Sequence, residues 1–209
     1  MSVGVTIIIG YLLGSFPTGL MLGRLAGIGD VRSYGSGKTG FTNSLRTMGL
    51  PRAMLVLLID AGKGGVPVLI GHQLVFHEPW AGALGGVAAV IGHSWPVFAG
   101  FRGGRGVATA FGAFIAVSPL AALAVLGVGI TVLALFRYSS LMSIVGVFAG
   151  FLAIVVLVLS DQAAQPYLLF GLLTMLAVEL NHLGNIKRLL AGTEPKIGQG
   201  GQRRDPTGA

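Results

Sequence analysis

The stretch VGVTIIIGYLLGSFPTGLML, residues 3–22, holds no charged side chain, and Arg24 is the first to follow it. Twenty residues at ~1.5 Å each match the ~30 Å hydrocarbon core of a bilayer, so the stretch reads as a membrane span. It does not read as a cleaved secretory signal, because no cation precedes it and Gly14, Ser15 and Pro17 interrupt its second half. Working outward, further apolar runs lie near 53–70, 80–91, 107–117, 120–136, 141–159 and 167–180. Only 10% of the 209 residues are charged against 53% hydrophobic, too few charges to clothe a soluble domain. The expected fold is an all-α polytopic membrane protein of about seven transmembrane helices. The runs at 80–91 and 107–117 are short for a simple crossing. They flank the segment 93–106, and are expected to be tilted, broken or extended into it.

The few cations are concentrated. Arg24 to Arg52, Arg102 with Arg105, Arg137, and the tail from Lys187 fall on one side of an odd-numbered set of crossings; His72, His77, Glu78 and Asp161 fall on the other, and only Lys63 lies within a span. The positive-inside rule then predicts an outside N-terminus and a cytoplasmic C-terminus. The net charge of +7 is read as this asymmetry plus an anionic ligand, and nucleic acid is set aside as a partner. With no cysteine, disulfides, thiolate nucleophiles and cysteine-ligated zinc are all excluded. Of the 35 glycines, those inside spans, such as Gly82, Gly85 and Gly86 or Gly146 and Gly150, read as close helix contacts. Residues 1–197 are expected to form one membrane domain, with 198–209 a disordered cytoplasmic tail.

Three segments concentrate chemistry. The first, GSGKTGFTNSLR at 35–46, combines hydroxyls, an amide, two cations and three glycines, as an oxyanion or phosphate site requires. Its Gly37-Lys38-Thr39 imitates the end of a nucleotide-binding P-loop, but Arg32 stands where that motif needs its first glycine, and no strand precedes it. In the second, HSWPVFAGFRGGRGVAT at 93–109, Gly103, Gly104 and Gly106 can bring amides to an anion while Arg102 and Arg105 fork onto it. A helix starting near Val107 would add its dipole. In the third, Glu179, His182 and Asn185 are spaced by three at the end of the last apolar run, on one helix face. Asp60 and Lys63, inside a span, read as a structural ion pair.

These segments, in this order, together with Gly14-Ser15-Phe16-Pro17-Thr18-Gly19, Asp60 with Lys63-Gly64, and Asn185-Ile186-Lys187-Arg188, resemble the acyl-phosphate:glycerol-3-phosphate acyltransferase family of bacterial membranes. The resemblance covers almost the whole chain. It implies transfer of a fatty acyl group from acyl phosphate to the 1-hydroxyl of glycerol 3-phosphate, giving lysophosphatidate and phosphate, the first step of phospholipid synthesis. It further implies catalytic roles for Ser36, Arg46, His182 and Asn185. Substrate or phosphate binding would fall to Lys38, Thr42, Asn43, His93, Arg102, Gly103, Gly104, Arg105 and Gly106. No metal or other cofactor is implied; the partners are the two substrates and membrane lipids, with no obligate protein partner. The expected location is the inner (plasma) membrane, with the site facing the cytoplasm.

An acyl phosphate carries a good leaving group, so positioning and oxyanion stabilisation can suffice without a protein nucleophile. The chain departs from the family pattern at Lys38 and Phe41, where Asn and Ala are usual, and at Arg102 and Arg105, which replace lysines. A divergent paralogue with another phosphorylated acceptor, or a transporter or binder of a phosphorylated solute, is the alternative reading.

Overall fold

The structure, a computed structural model, describes residues 1–203. Its helices are α1 (Ser2–Gly14), α2 (Thr18–Leu25), α3 (Phe41–Met48), α4 (Leu50–Leu69), α5 (Pro79–Ser94), α6 (Val107–Val117), α7 (Pro119–Phe136), α8 (Ser139–Leu159) and α9 (Pro166–Leu190). Proline marks the starts of α4, α5, α7 and α9, where its missing N–H and fixed φ carry no penalty. The run at 3–22 is interrupted at Ser15–Pro17, dividing it into α1 and α2.

Among the described residues, six helical segments are long and apolar enough to cross a membrane, with α1 and α2 counting as one at Ser2–Leu25. The fourth of the seven expected runs, α6, has 11 residues. That is a rise of about 16 Å, roughly half a bilayer core. Its far end nevertheless reaches the turn that follows α4, where Gln73 Nε2 donates to the Ala116 carbonyl at 3.3 Å. The last run extends beyond expectation, since α9 stays helical to Leu190 and carries His182 and Asn185 with it.

Glycine sets the tightest contacts. A Cβ on Gly64 of α4 would lie 1.9 Å from the Thr109 carbonyl oxygen, and one on Gly112 of α6 the same distance from that of Ala61. Only glycine lets α4 and α6 approach so closely, which is the contact that lipid cannot drive by hydrophobicity. The core lies among α5, α6, α8 and α9, where Phe114, Phe170, Ile154 and Val90 are fully buried. Asp60 and Lys63 form the expected buried pair at 2.9 Å. Lys63 Nζ also donates to the Phe16 carbonyl at 2.9 Å, tying α4 to the break between α1 and α2.

Residues 198–203 do not trail away. The Gly35 N–H donates to the Gln202 carbonyl at 3.0 Å, and Tyr34 pairs with Arg203 in an antiparallel bridge. Of the tail expected from the sequence to be disordered, 204–209 lie outside the described residues.

Candidate active site

The first basic segment is partly helical. Gly40, with extended backbone, caps α3, so Thr42, Asn43 and Arg46 ride on a short helix rather than a loose loop. Asn43 is almost fully buried, and its amide is occupied by the loop itself. Its Oδ1 accepts from the Ser36 N–H at 3.0 Å, and its Nδ2 donates to the carbonyls of Lys38 (2.8 Å) and Val31 (2.9 Å). With those groups used, Asn43 shapes the loop that presents Ser36 and Lys38.

The second segment folds back onto the end of α5. The Gly104 and Gly103 N–H groups donate to the carbonyls of His93 (3.1 Å) and Ser94 (3.2 Å), satisfying carbonyls that a helix end leaves free. Their amides therefore do not point at an anion, contrary to the expected glycine cradle. The glycines serve closeness instead: a Cβ on Gly104 would fall 2.0 Å from His93 Nε2. Arg102 is exposed and lines neither of the two cavities described below, and its carbonyl accepts from Arg32 Nη1 at 3.1 Å. Of the expected cradle, Arg105 and Gly106 reach the site. Gly106 has φ 82°, a conformation suited to glycine, and from it the amide-bearing end of α6 faces the same space.

Two cavities meet here. A polar chamber of about 520 Å³ is lined by Ser36, Lys38, Arg46, Arg105, Asn185 and Arg188, among others. A second, of about 280 Å³, runs along Leu57, Phe111, Val125, Leu126, Leu133 and Met142, with His93 and His182 at its polar end. Ser36, Lys38, Thr42, Arg105 and Ser139 line both. A cation-lined polar space thus opens into an apolar groove through a common wall.

The chamber's charge is unbalanced. Four cations, Lys38, Arg46, Arg105 and Arg188, face one carboxylate, Glu194, leaving a formal excess of three. Arg46 Nε and Arg105 Nε are buried without a hydrogen-bond partner among the described residues. Burial, then the charge of Arg105, holds the Lys38 ammonium below its ordinary value. Burial lowers the Arg46 guanidinium too, and takes that of Arg105 to about 10, still charged at neutral pH. Crowded, partly desolvated cations with unused donors are stabilised by an anion.

On α9, spacing of three places His182 and Asn185 toward the two cavities, both buried, whereas Glu179 lines neither. His182 Nδ1 lies 2.8 Å from the Val178 carbonyl. A carbonyl only accepts, so Nδ1 carries the proton, and Nε2 of the neutral ring is an acceptor. Asn185 Nδ2 donates to Glu194 Oε1 at 2.6 Å, and Arg188 Nε to Oε2 at 2.8 Å. Burial alone would raise the Glu194 carboxyl, but its polar neighbours Ser140, Asn185 and Arg188 outweigh it and hold it below 4.5. Sequence reading missed Glu194, Ser139 and Asn181, and named Arg188 within a motif without giving it a role in the site. The one usable signal was an acid set among the cations of the basic tail, six residues beyond Arg188.

A bundle of apolar helices whose cation-rich chamber shares a wall with a greasy groove belongs to the class of membrane proteins that bring a water-soluble anion against a lipid-like molecule. A sequence model described as glycerol-3-phosphate acyltransferase matches residues 4–192. Proteins so named from Parasynechococcus marenigrum (strain WH8102) and Trichormus variabilis (strain ATCC 29413 / PCC 7937) are 44% and 43% identical, over 91% and 94% of this chain and 88% and 92% of theirs. A crystal structure of PlsY (YgiH), an integral membrane glycerol 3-phosphate acyltransferase in its glycerol 3-phosphate form, superposes with a TM-score of 0.86 at 37% identity. It covers 95% of this chain and 96% of its own. The lysophosphatidic acid form superposes with a TM-score of 0.84 at 35% identity, with the same coverage. The chain belongs to the glycerol-3-phosphate acyltransferase family: it is a membrane-embedded acyltransferase.

Proposed function

We propose that the chain transfers a fatty acyl group from acyl phosphate to the 1-hydroxyl of glycerol 3-phosphate, giving lysophosphatidate and inorganic phosphate. The observation that carries this reading is the wall common to both cavities, Ser36, Lys38, Thr42, Arg105 and Ser139. Glycerol 3-phosphate occupies the polar chamber, its phosphate held by Arg46 and Arg105. The acyl chain lies in the apolar groove, and its carbonyl and phosphate meet the acceptor at the wall. Lys38 and the start of α6 stand at that mouth, where charge on the departing phosphate grows.

Ser36 orients the acceptor and the carbonyl. His182 and Asn185 position the substrates, and the hydroxyl proton passes to the departing phosphate. Holding both substrates in line accounts for most of the rate, since the mixed anhydride needs little further activation.

The chamber lies with Arg46, Arg105, Ser139 and Asn185 at one end of the bundle, whereas Ser2 donates to Glu78 at the other, beside the His72–Tyr167 pair. The basic end faces the cytoplasm, giving an outside N-terminus in the inner (plasma) membrane. α6 completes a seventh traverse by starting at the depth of the site. Residues 1–197 act as one domain, without an obligate protein partner.

The test is direct. Purified protein in detergent receives palmitoyl phosphate and labelled glycerol 3-phosphate, with palmitoyl-CoA and Arg46→Ala as controls. Lysophosphatidate formed from acyl phosphate alone, and lost in the variant, is the expected result. No product from folded protein, while an active relative works alongside, refutes it.

A further inference from the structure

Beyond residue 192, where the family match ends, the chain doubles back over the site. Pro195 and Gly200 line the polar chamber and Ile197 lines the apolar groove. The Ile197 N–H donates to the Arg137 carbonyl at 2.7 Å, fixing the segment to the turn between α7 and α8. Its other end reaches the first loop through the Gly35–Gln202 hydrogen bond and the Tyr34–Arg203 bridge. Gly201 packs on α3, where an added Cβ would sit 3.1 Å from the Arg46 carbonyl oxygen and 3.3 Å from Arg46 Cβ. Gly198 and Gly200, at φ 88° and 74°, supply the turns. The segment thus touches the residue before Ser36, the backbone of Arg46, and both cavities.

We propose that residues 195–203 are a strap that clamps the loop carrying Ser36 to the helix carrying Arg46 and shields the junction of the cavities from bulk water. This rests on the acyl-transfer reading and deepens it. In transfer, the acceptor oxygen bonds to the acyl carbon, the bond from that carbon to the phosphate oxygen breaks, and the hydroxyl proton leaves with inorganic phosphate. Water at the same point would take the same path to a free fatty acid and phosphate. The strap keeps the first reaction ahead of the second and holds the acceptor's phosphate site in shape.

Two variants test it: a chain ending after Ile197, and full-length Gly201→Leu, which pushes the strap off α3 at the carbonyl and Cβ of Arg46 while leaving every site residue unsubstituted. Each is compared with the full chain for glycerol 3-phosphate affinity by calorimetry without donor, and for palmitate released per lysophosphatidate formed from palmitoyl phosphate. Both variants should bind glycerol 3-phosphate about five- to tenfold more weakly, the scale of one or two lost hydrogen bonds, and release more palmitate per transfer. Unchanged affinity and unchanged partition in a folded variant overturn the proposal. If the shortened chain does not fold, Gly201→Leu, with Gly201→Ala as a milder step, decides by the same readouts. A full chain that binds glycerol 3-phosphate but makes no lysophosphatidate refutes the reaction and leaves affinity to decide the strap. A full chain that does neither overturns both.

Discussion

Replacing Lys63 by Met removes one partner of an ion pair whose side chains are 7% and 1% exposed, with Nζ 2.9 Å from Asp60 Oδ1. At that distance, and an effective dielectric near 20, the lost attraction is about 6 kcal/mol. The Phe16 carbonyl also loses its donor, for a further ~1 kcal/mol. Relaxation and water entry recover part of this, and breaking buried pairs usually costs about 3–5 kcal/mol, the loss expected here. The neighbouring His93 Nδ1, 3.7 Å from Asp60 Oδ1, cannot replace an ammonium at 2.9 Å. Removing both charges in Asp60→Asn/Lys63→Met should restore most of the stability, because no buried charge is then left alone. The assay is equilibrium unfolding in mixed micelles by SDS titration, followed by fluorescence of Trp80 and Trp95, the chain's two tryptophans. A loss below ~1 kcal/mol in Lys63→Met, or a double variant no better than the single, would refute the pair as a support of the bundle.

Gly104→Ala should place a methyl 2.0 Å from His93 Nε2, force the loop and Arg105 outward, and cost about 1–3 kcal/mol with most of the activity; full turnover at unchanged stability contradicts this. Glu194→Gln keeps the side chain's shape and removes its charge. Because the folded carboxyl titrates below 4.5, its contribution is present above that pH and lost as pH falls through the folded value. Wild type and Glu194→Gln should therefore differ in thermal stability at pH 7 and converge at low pH, whereas parallel curves would show that the charge is not what matters. His182→Gln should lower kcat without changing the shape of the pH–rate profile, the outcome expected where the proton passes to substrate phosphate as proposed. Loss of one ionisation from the profile would make His182 the base.

Hydropathy alone placed the long helices because a lipid-facing helix must be apolar nearly throughout. It misjudged α9, where His182 and Asn185 lower the mean while their side chains turn inward. The cations of the site were visible in the sequence as basic clusters, but which of them face the chamber was not. Arg102 and Arg105 sit three apart with the same flanking glycines, and only the fold of 93–106 onto α5 sends one outward and the other in. The glycines misled for a related reason: a glycine that frees an amide for a ligand and one that lets a loop touch His93 look the same in a string of letters. Glu194 and the strap depend on contacts between distant parts of the chain, such as Gly35 with Gln202, which leave no local periodicity to read.

The wall common to the two cavities also fixes the attitude in which the product is born. On the proposed reaction, a new ester formed there would have its phosphate among Arg46 and Arg105 and its tail along Phe111, Val125 and Leu126. Its head points toward one face of the bundle and its chain toward the membrane interior, which is the posture of a lipid at rest in that leaflet. A product held in that posture would need no turning over to take its place in the bilayer.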